Sequence, residues 1–258
     1  MSHVEMQIQS GHRTPPPAGM PYRQVTVSDA PARCETDGAV WHVRNTEPLG
    51  DHPPRMTDCL VAGAQRHPDR VLAARRGPDG AWIKLTYREM LDRARAIGQT
   101  LLDRGVSAER PLAILSGNDL EHLQLALGAM WAGVPYAPVS PPYALVSTDF
   151  GKLRHVFDVL TPGLVYAADG GAFANAINAV VPKDIEVITR DGALPGRAAT
   201  AFDTLLHTPL TTVDAAQAAV SPDTLVKVLF TSGSTRQPKA VPTTHRMLCS
   251  NQQMLRQT

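Results

Sequence analysis

Residues 228–246 read VLFTSGSTRQPKAVPTTHR and gather several groups able to hold an anion. Thr231, Ser232, Ser234 and Thr235 offer four hydroxyl donors. Gly233 lets the backbone bend so that its amides converge, and Lys239 and Arg236 bring positive charge. The apolar run Val228–Phe230 leads in, and Ala240-Val241 leads out. This order predicts a strand–loop–strand hairpin over about 226–243 whose tip can close over a triphosphate.

Two other readings compete at this point. A Walker phosphate loop needs a second glycine before its lysine, a hydroxyl after it and then a helix. Here Pro238 replaces that glycine, Ala240 replaces the hydroxyl, and the continuation is extended and β-branched, so a P-loop NTPase is the lesser alternative. A plain solvent-exposed Ser/Thr/Gly turn is the other alternative.

The elements that must position this loop follow from periodicity. Val71–Ala74 and Ala81–Leu85 predict two strands joined by RRGPDG. Residues 86–105 predict a helix with a Thr86/Glu89 capping box, Gly105 past its end, and an apolar face running from Tyr87 to Leu102. Residues 111–115 (PLAIL) are expected as a buried strand, residues 118–133 as a helix capped by Asn118, and Tyr136–Val139 as a strand. A helix over 148–160, a strand at 164–167, a helix at 172–180 and a strand at 185–188 complete the pattern. Alternating strands and helices predict a layered α/β/α architecture with a mostly parallel sheet. Ligands in such sheets gather at strand carboxyl ends, here the loops Ser116–Asn118 and Ser140–Tyr143. Residues 1–45, with the proline-rich RTPPPAGMP, read as a flexible N-terminal segment.

Bulk properties narrow the function classes. The 258 residues are 43% hydrophobic and 19% charged, ordinary for a globular chain. Lys and Arg total 25 against 24 Asp and Glu, which offers no field for nucleic acid. Cys34, Cys59 and Cys249 are too few and scattered for a disulfide framework, and read as reduced thiols of a cytoplasmic protein. The uncharged stretch from about His122 to Thr148 contains Pro135, Pro138, Pro141 and Pro142, which argues against a membrane span.

The stretch FTSGSTRQPKA resembles the signature loop of the adenylate-forming (AMP-binding) superfamily of acyl- and aryl-CoA ligases, luciferases and peptide-synthetase adenylation domains. Thr231, Ser232, Gly233, Ser234, Thr235, Pro238 and Lys239 match its usual order T-S-G-[ST]-T-G-x-P-K-G, while Arg236 and Ala240 replace glycines. KLTYREMLDRARAIGQTLLDRGV and LGAMWAGVPYAPVSP resemble two earlier family segments. YAPVSPPYALVSTDFGKLRHVFDVLTPGLVYA and TTHRMLCSNQQM are most similar to the N-terminal part of feruloyl-CoA synthetases.

The resemblance covers about 46–258 and implies a partial N-terminal AMP-binding domain, without the C-terminal domain. It implies ATP-dependent activation of a carboxylic acid, such as the hydroxycinnamate ferulate, to an acyl-adenylate and then a CoA thioester. ATP, Mg²⁺ and coenzyme A would be the co-substrates, with no nucleic acid or membrane partner. The hydroxyls and amides of 231–235 with Lys239 would hold the β- and γ-phosphates, and His245 would lie near the acyl pocket or cap a helix. The remaining histidines show no ligand spacing, so no metal beyond the Mg²⁺ of ATP is expected. The catalytic residues themselves are unassigned, and a non-catalytic interaction module built from a ligase is a further alternative. We expect the purified 258-residue chain not to complete adenylation; ATP- and ferulate-dependent pyrophosphate exchange by it would overturn this.

Overall fold

Parallel strands reached through helical crossovers must bury both faces, and this sequence supplies strands with no polar side to spare. A computed structural model describes residues 32–231 and 237–257. The chain divides into two compact units: residues up to His52 together with Cys249 onward, and Pro53–Leu248. Among the described residues no helix is long and apolar enough to cross a membrane.

In the first unit, β1 (Ala32–Asp37) and β2 (Val40–Asn45) form an antiparallel hairpin turned at Gly38, whose φ is +59°. The sequence predicts a flexible segment over 1–45, and residues 32–45 of it form this hairpin. Val40, Trp41 and Val43 are all exposed, so neither strand carries the buried alternation that marks a strand in sequence. At the other end of this unit, Gln257 closes on the segment before Pro53: its Oε1 accepts from Gly50 N–H at 2.9 Å.

The second unit holds α1 (Met56–Arg66), β3 (Val71–Arg76), β4 (Trp82–Thr86), α2 (Tyr87–Asp103), β5 (Leu112–Leu115), α3 (Leu120–Ala132) and β6 (Tyr136–Val139). It continues with α4 (Pro142–Leu145), α5 (Gly151–Leu160), β7 (Leu164–Ala167), α6 (Gly170–Val180), β8 (Glu186–Thr189) and β9 (Thr200–Ala201). A 3-10 helix (Phe202–His207), α7 (Val213–Ala219), β10 (Leu225–Thr231), β11 (Lys239–Thr244) and α8 (His245–Gln257) follow, α8 passing into the first unit at Cys249. The seven-stranded sheet runs β11-β10-β6-β5-β7-β8-β9, parallel throughout except for β10 against β11. β3 and β4 form a separate antiparallel pair.

Alternation along β5 divides the core in two. Ala113 and Leu115 face a cluster with Leu153 and Val156 of α5 and Phe173 and Ile177 of α6. Leu112 and Ile114 face the opposite cluster, with Ile97 and Leu101 of α2, Leu125 of α3 and Phe202. Helices therefore cover both faces, which makes the layered α/β/α architecture expected of the N-terminal domain of an adenylate-forming enzyme.

The helix ends show why boundaries fall where they do. Thr86 Oγ1 accepts from Glu89 N–H at 3.2 Å, and Glu89 Oε2 accepts from Thr86 N–H at 2.7 Å, closing the capping box. At the other end of α2, Gly105 has φ +66°; its N–H donates to Leu102 O, and Val106 N–H to Leu101 O. The α3 cap differs from expectation: Asp119, not Asn118, precedes the helix, and its carboxylate makes no capping bond because Arg190 engages it. α5 starts at Gly151, three residues later than expected at 148. Ser147 Oγ and Asp149 Oδ1 accept from Phe150 and Gly151 N–H and hold a turn in which Phe150 has φ +54°.

Packing of α2 on α3 depends on two bare positions. A Cβ on Gly98 would lie 2.9 Å from Gly128 O, and one on Gly128 would lie 2.5 Å from Ile97 Cγ2. Nearby, the fully buried Gln99 organises the start of α7. Its Oε1 accepts from Thr211, Thr212 and Val213 N–H at 2.9, 2.8 and 3.0 Å, while Nε2 donates to Asp103 Oδ1 at 2.8 Å. The first amides of a helix have no intrahelical acceptor, so one side chain here does the work of a cap. Gln99→Leu should lower the unfolding free energy in urea by about 2–3 kcal/mol, the cost of stranding these donors. A loss under about 0.5 kcal/mol, the level of a neutral surface change, would refute this role.

Candidate functional site

The hairpin grows from the fold's own logic. β10 runs parallel to β6, pairing Lys227 with Tyr136, so its far end emerges at the carboxyl edge of the sheet. The loops after β5 and β6, Ser116–Asn118 and Ser140–Tyr143, leave the same edge. β11 then returns antiparallel, with Thr231 opposite Lys239 as the last pair. Both residues are exposed at the mouth of the turn. Ser232, Gly233, Ser234 and Thr235, with Arg236, lie outside the described residues. A strand, not a helix, follows Lys239, which removes the P-loop NTPase alternative.

The outgoing limb touches the helical layer. Pro238 is buried between exposed neighbours, and its carbonyl lies 2.9 Å from His155 Nε2 on α5. Beside it is a cavity of about 400 Å³ lined by Tyr143, Ser147, Asp149, Lys152 and Gln237 among others. The Lys152 ammonium sits 5.4 Å from the centre of the Tyr143 ring, within cation–π reach.

Sequence reasoning missed a charged group at the carboxyl edge. Arg75 Nη2 lies 3.1 Å from Glu121 Oε1 and Arg75 Nε 3.6 Å from Asp119 Oδ1, while Arg190 binds Asp119 from the end of β8. Burial, then the hydrogen bond to Asp119, pushes the Glu121 carboxyl up. Burial opposes ionisation of Asp119 too, but the bond with Glu121 and the charges of Arg190 and Arg75 hold it low. The signal available in sequence was Asp-x-Glu at the start of the helix that follows β5.

His245 is the first residue of α8 and is 0% exposed. Its Nδ1 accepts from Met56 N–H at 3.2 Å, satisfying a leading amide of α1. Thr244 Oγ1, not the imidazole, accepts from Met247 N–H and caps α8. The Nε2 is buried without a hydrogen-bond partner among the described residues. Burial pushes the imidazole pKa down to about 4, with Asp58 opposing and Arg55 assisting. The unfolded chain titrates near 6.5, so it takes up the proton first as pH falls. Stability linked to His245 is therefore complete above about pH 6.5 and lost toward pH 4. His245→Asn keeps an acceptor but cannot titrate. The unfolding free energy of wild type relative to this variant should fall between pH 7 and 4.5; a constant difference would show that the ring is not buried neutral.

The chain is similar in sequence and fold to known proteins. The AMP-binding enzyme family matches residues 60–258. Indigoidine synthase of Streptomyces lavendulae is 28% identical over 212 residues, covering 82% of this chain and 15% of that protein. Phosphinothricin tripeptide synthetase PhsC of Streptomyces viridochromogenes is 29% identical over 218 residues, covering 82% of this chain and 18% of that protein. The structure of VinN in complex with L-aspartate superposes with a TM-score of 0.59 at 25% identity, over 78% of this chain and 47% of that one. The chain thus spans less than a fifth of these two curated relatives. With a hairpin of the expected type inside a match running from residue 60 to 258, the chain belongs to the AMP-binding enzyme family.

Proposed function

We propose that this chain carries the phosphate-handling part of an enzyme that uses MgATP to adenylate a carboxylic acid. The observation that carries this reading is the antiparallel hairpin that sets Thr231 opposite Lys239 at the mouth of the signature turn. In the reaction, a carboxylate oxygen attacks the α-phosphorus, the bond to the β-phosphate oxygen breaks, and pyrophosphate leaves with the electron pair. Chemistry of this type gains from positioning and from cations aimed at developing charge. Lys239, with the hydroxyls of Thr231, Ser232, Ser234 and Thr235 and the amide of Gly233, is assigned to the β- and γ-phosphates. Its ammonium offsets charge on the departing pyrophosphate. A thiol then displaces AMP from the acyl-adenylate to give a thioester.

Two readings of the acid and thiol have support. Resemblance to feruloyl-CoA synthetases favours a hydroxycinnamate and coenzyme A. Likeness to peptide synthetases, and to VinN bound to L-aspartate, favours an amino acid passed to a carrier-protein thiol. Pyrophosphate exchange into ATP, run with hydroxycinnamates and amino acids in parallel on the protein as its cell makes it, separates them. Exchange should depend on one of these acids and fall about 10²-fold or more in Lys239→Ala, the scale of removing one charge-stabilising group. Exchange with no acid, or undiminished by Lys239→Ala, would sink the proposal.

A further inference from the structure

The residue that follows Pro238 is Lys239, the first residue of β11. Among the described residues β11 is an edge strand with β10 as its sole neighbour in the sheet, and the Thr231–Lys239 pair is the last of that ladder. Pro238 therefore lies beyond the ladder, and its ring leaves no amide hydrogen to extend it. A carbonyl only accepts, so the 2.9 Å contact requires the proton on His155 Nε2.

α5 is a firm base for this tether. Leu153 and Val156 are 0% exposed and Phe157 and Leu160 6%, all in the core against which Val228 and Phe230 of β10 also pack. Arg154 adds a bond from Nη1 to Ala179 O at 2.8 Å, linking α5 to α6. The imidazole thus joins a fixed helix to the limb that carries the lysine, across 83 residues of sequence.

We propose that His155 is a positioning residue for Lys239: by holding the Pro238 carbonyl, it fixes the path of the lysine toward the phosphates. The inference rests on the phosphate-handling role assigned to Lys239 above. It predicts that loss of the Nε2–H donor affects MgATP and leaves recognition of the acid alone.

His155→Met and His155→Gln test this, since both side chains have similar reach and only glutamine donates. In acid-dependent pyrophosphate exchange on the protein as its cell makes it, His155→Met should lower kcat/KM for MgATP about tenfold. The KM for the acid should stay at the wild-type value, and His155→Gln should recover most of the loss. A normal His155→Met beside a crippled Lys239→Ala would overturn the role of His155 and leave the phosphate loop standing. Equal losses toward MgATP and acid, or a glutamine variant no better than methionine, would reduce His155 to packing. A Lys239→Ala variant with wild-type MgATP parameters would overturn both.

Discussion

Burial of the Leu112–Leu115 strand on both faces is the constraint on which the second unit depends. All four residues are fully buried, so neither face can be left to water. One face requires α5 and α6, the other α2 and α3, and each helix must supply apolar residues at helical spacing. Parallel pairing with β6 and β7 then sends every strand's carboxyl end to one edge. β10 joins that order beside β6, and only afterwards does β11 turn back. Thr231 and Lys239, the facing ends of the two strands, are thereby delivered to the same edge as the β5 and β6 loops. The position of this edge is a product of how the core is filled.

Polar groups inside this frame are treated in different ways. Gln99 is saturated, with its amide oxygen shared among three backbone donors. Asp119 and Glu121 lie against the guanidiniums of Arg75 and Arg190, so two nearly buried carboxyls are matched by two opposite charges. His245 is left half satisfied, neutral, and locked to the start of α1. A buried group with an open donor costs stability that an apolar residue would not, and the site tolerates it beside the hairpin.

What could be read in the sequence was local. Thr86, Glu89 and Gly105 announce both ends of α2, because each signal lies within a few residues of the amides or carbonyls it satisfies. The hairpin was legible for the same reason: apolar strand, hydroxyl-rich turn, lysine, β-branched strand. The start of α3 was misread because a distant arginine, 71 residues away, takes the carboxylate at the cap. β1 and β2 leave no such pattern because neither buries a residue. Contacts such as Gln99 with Thr211 or His155 with Pro238 join residues 112 and 83 apart and leave no local pattern. The charged group around Asp119 is hidden likewise, since its partners come from β3, α3 and the end of β8.

The facing glycines of α2 and α3 have a mechanical consequence. Where most helix pairs meet through side chains that can change rotamer, Gly98 meets the Gly128 carbonyl and Gly128 meets Ile97 and the Ala94 carbonyl. Side chains act as cushions, whereas main chain against main chain acts as a hard stop. The spacing of this helical layer is thus set by peptide geometry and resists compression, as close-packed interiors do. Force applied to α3 would be passed to α2 with little yielding at this contact.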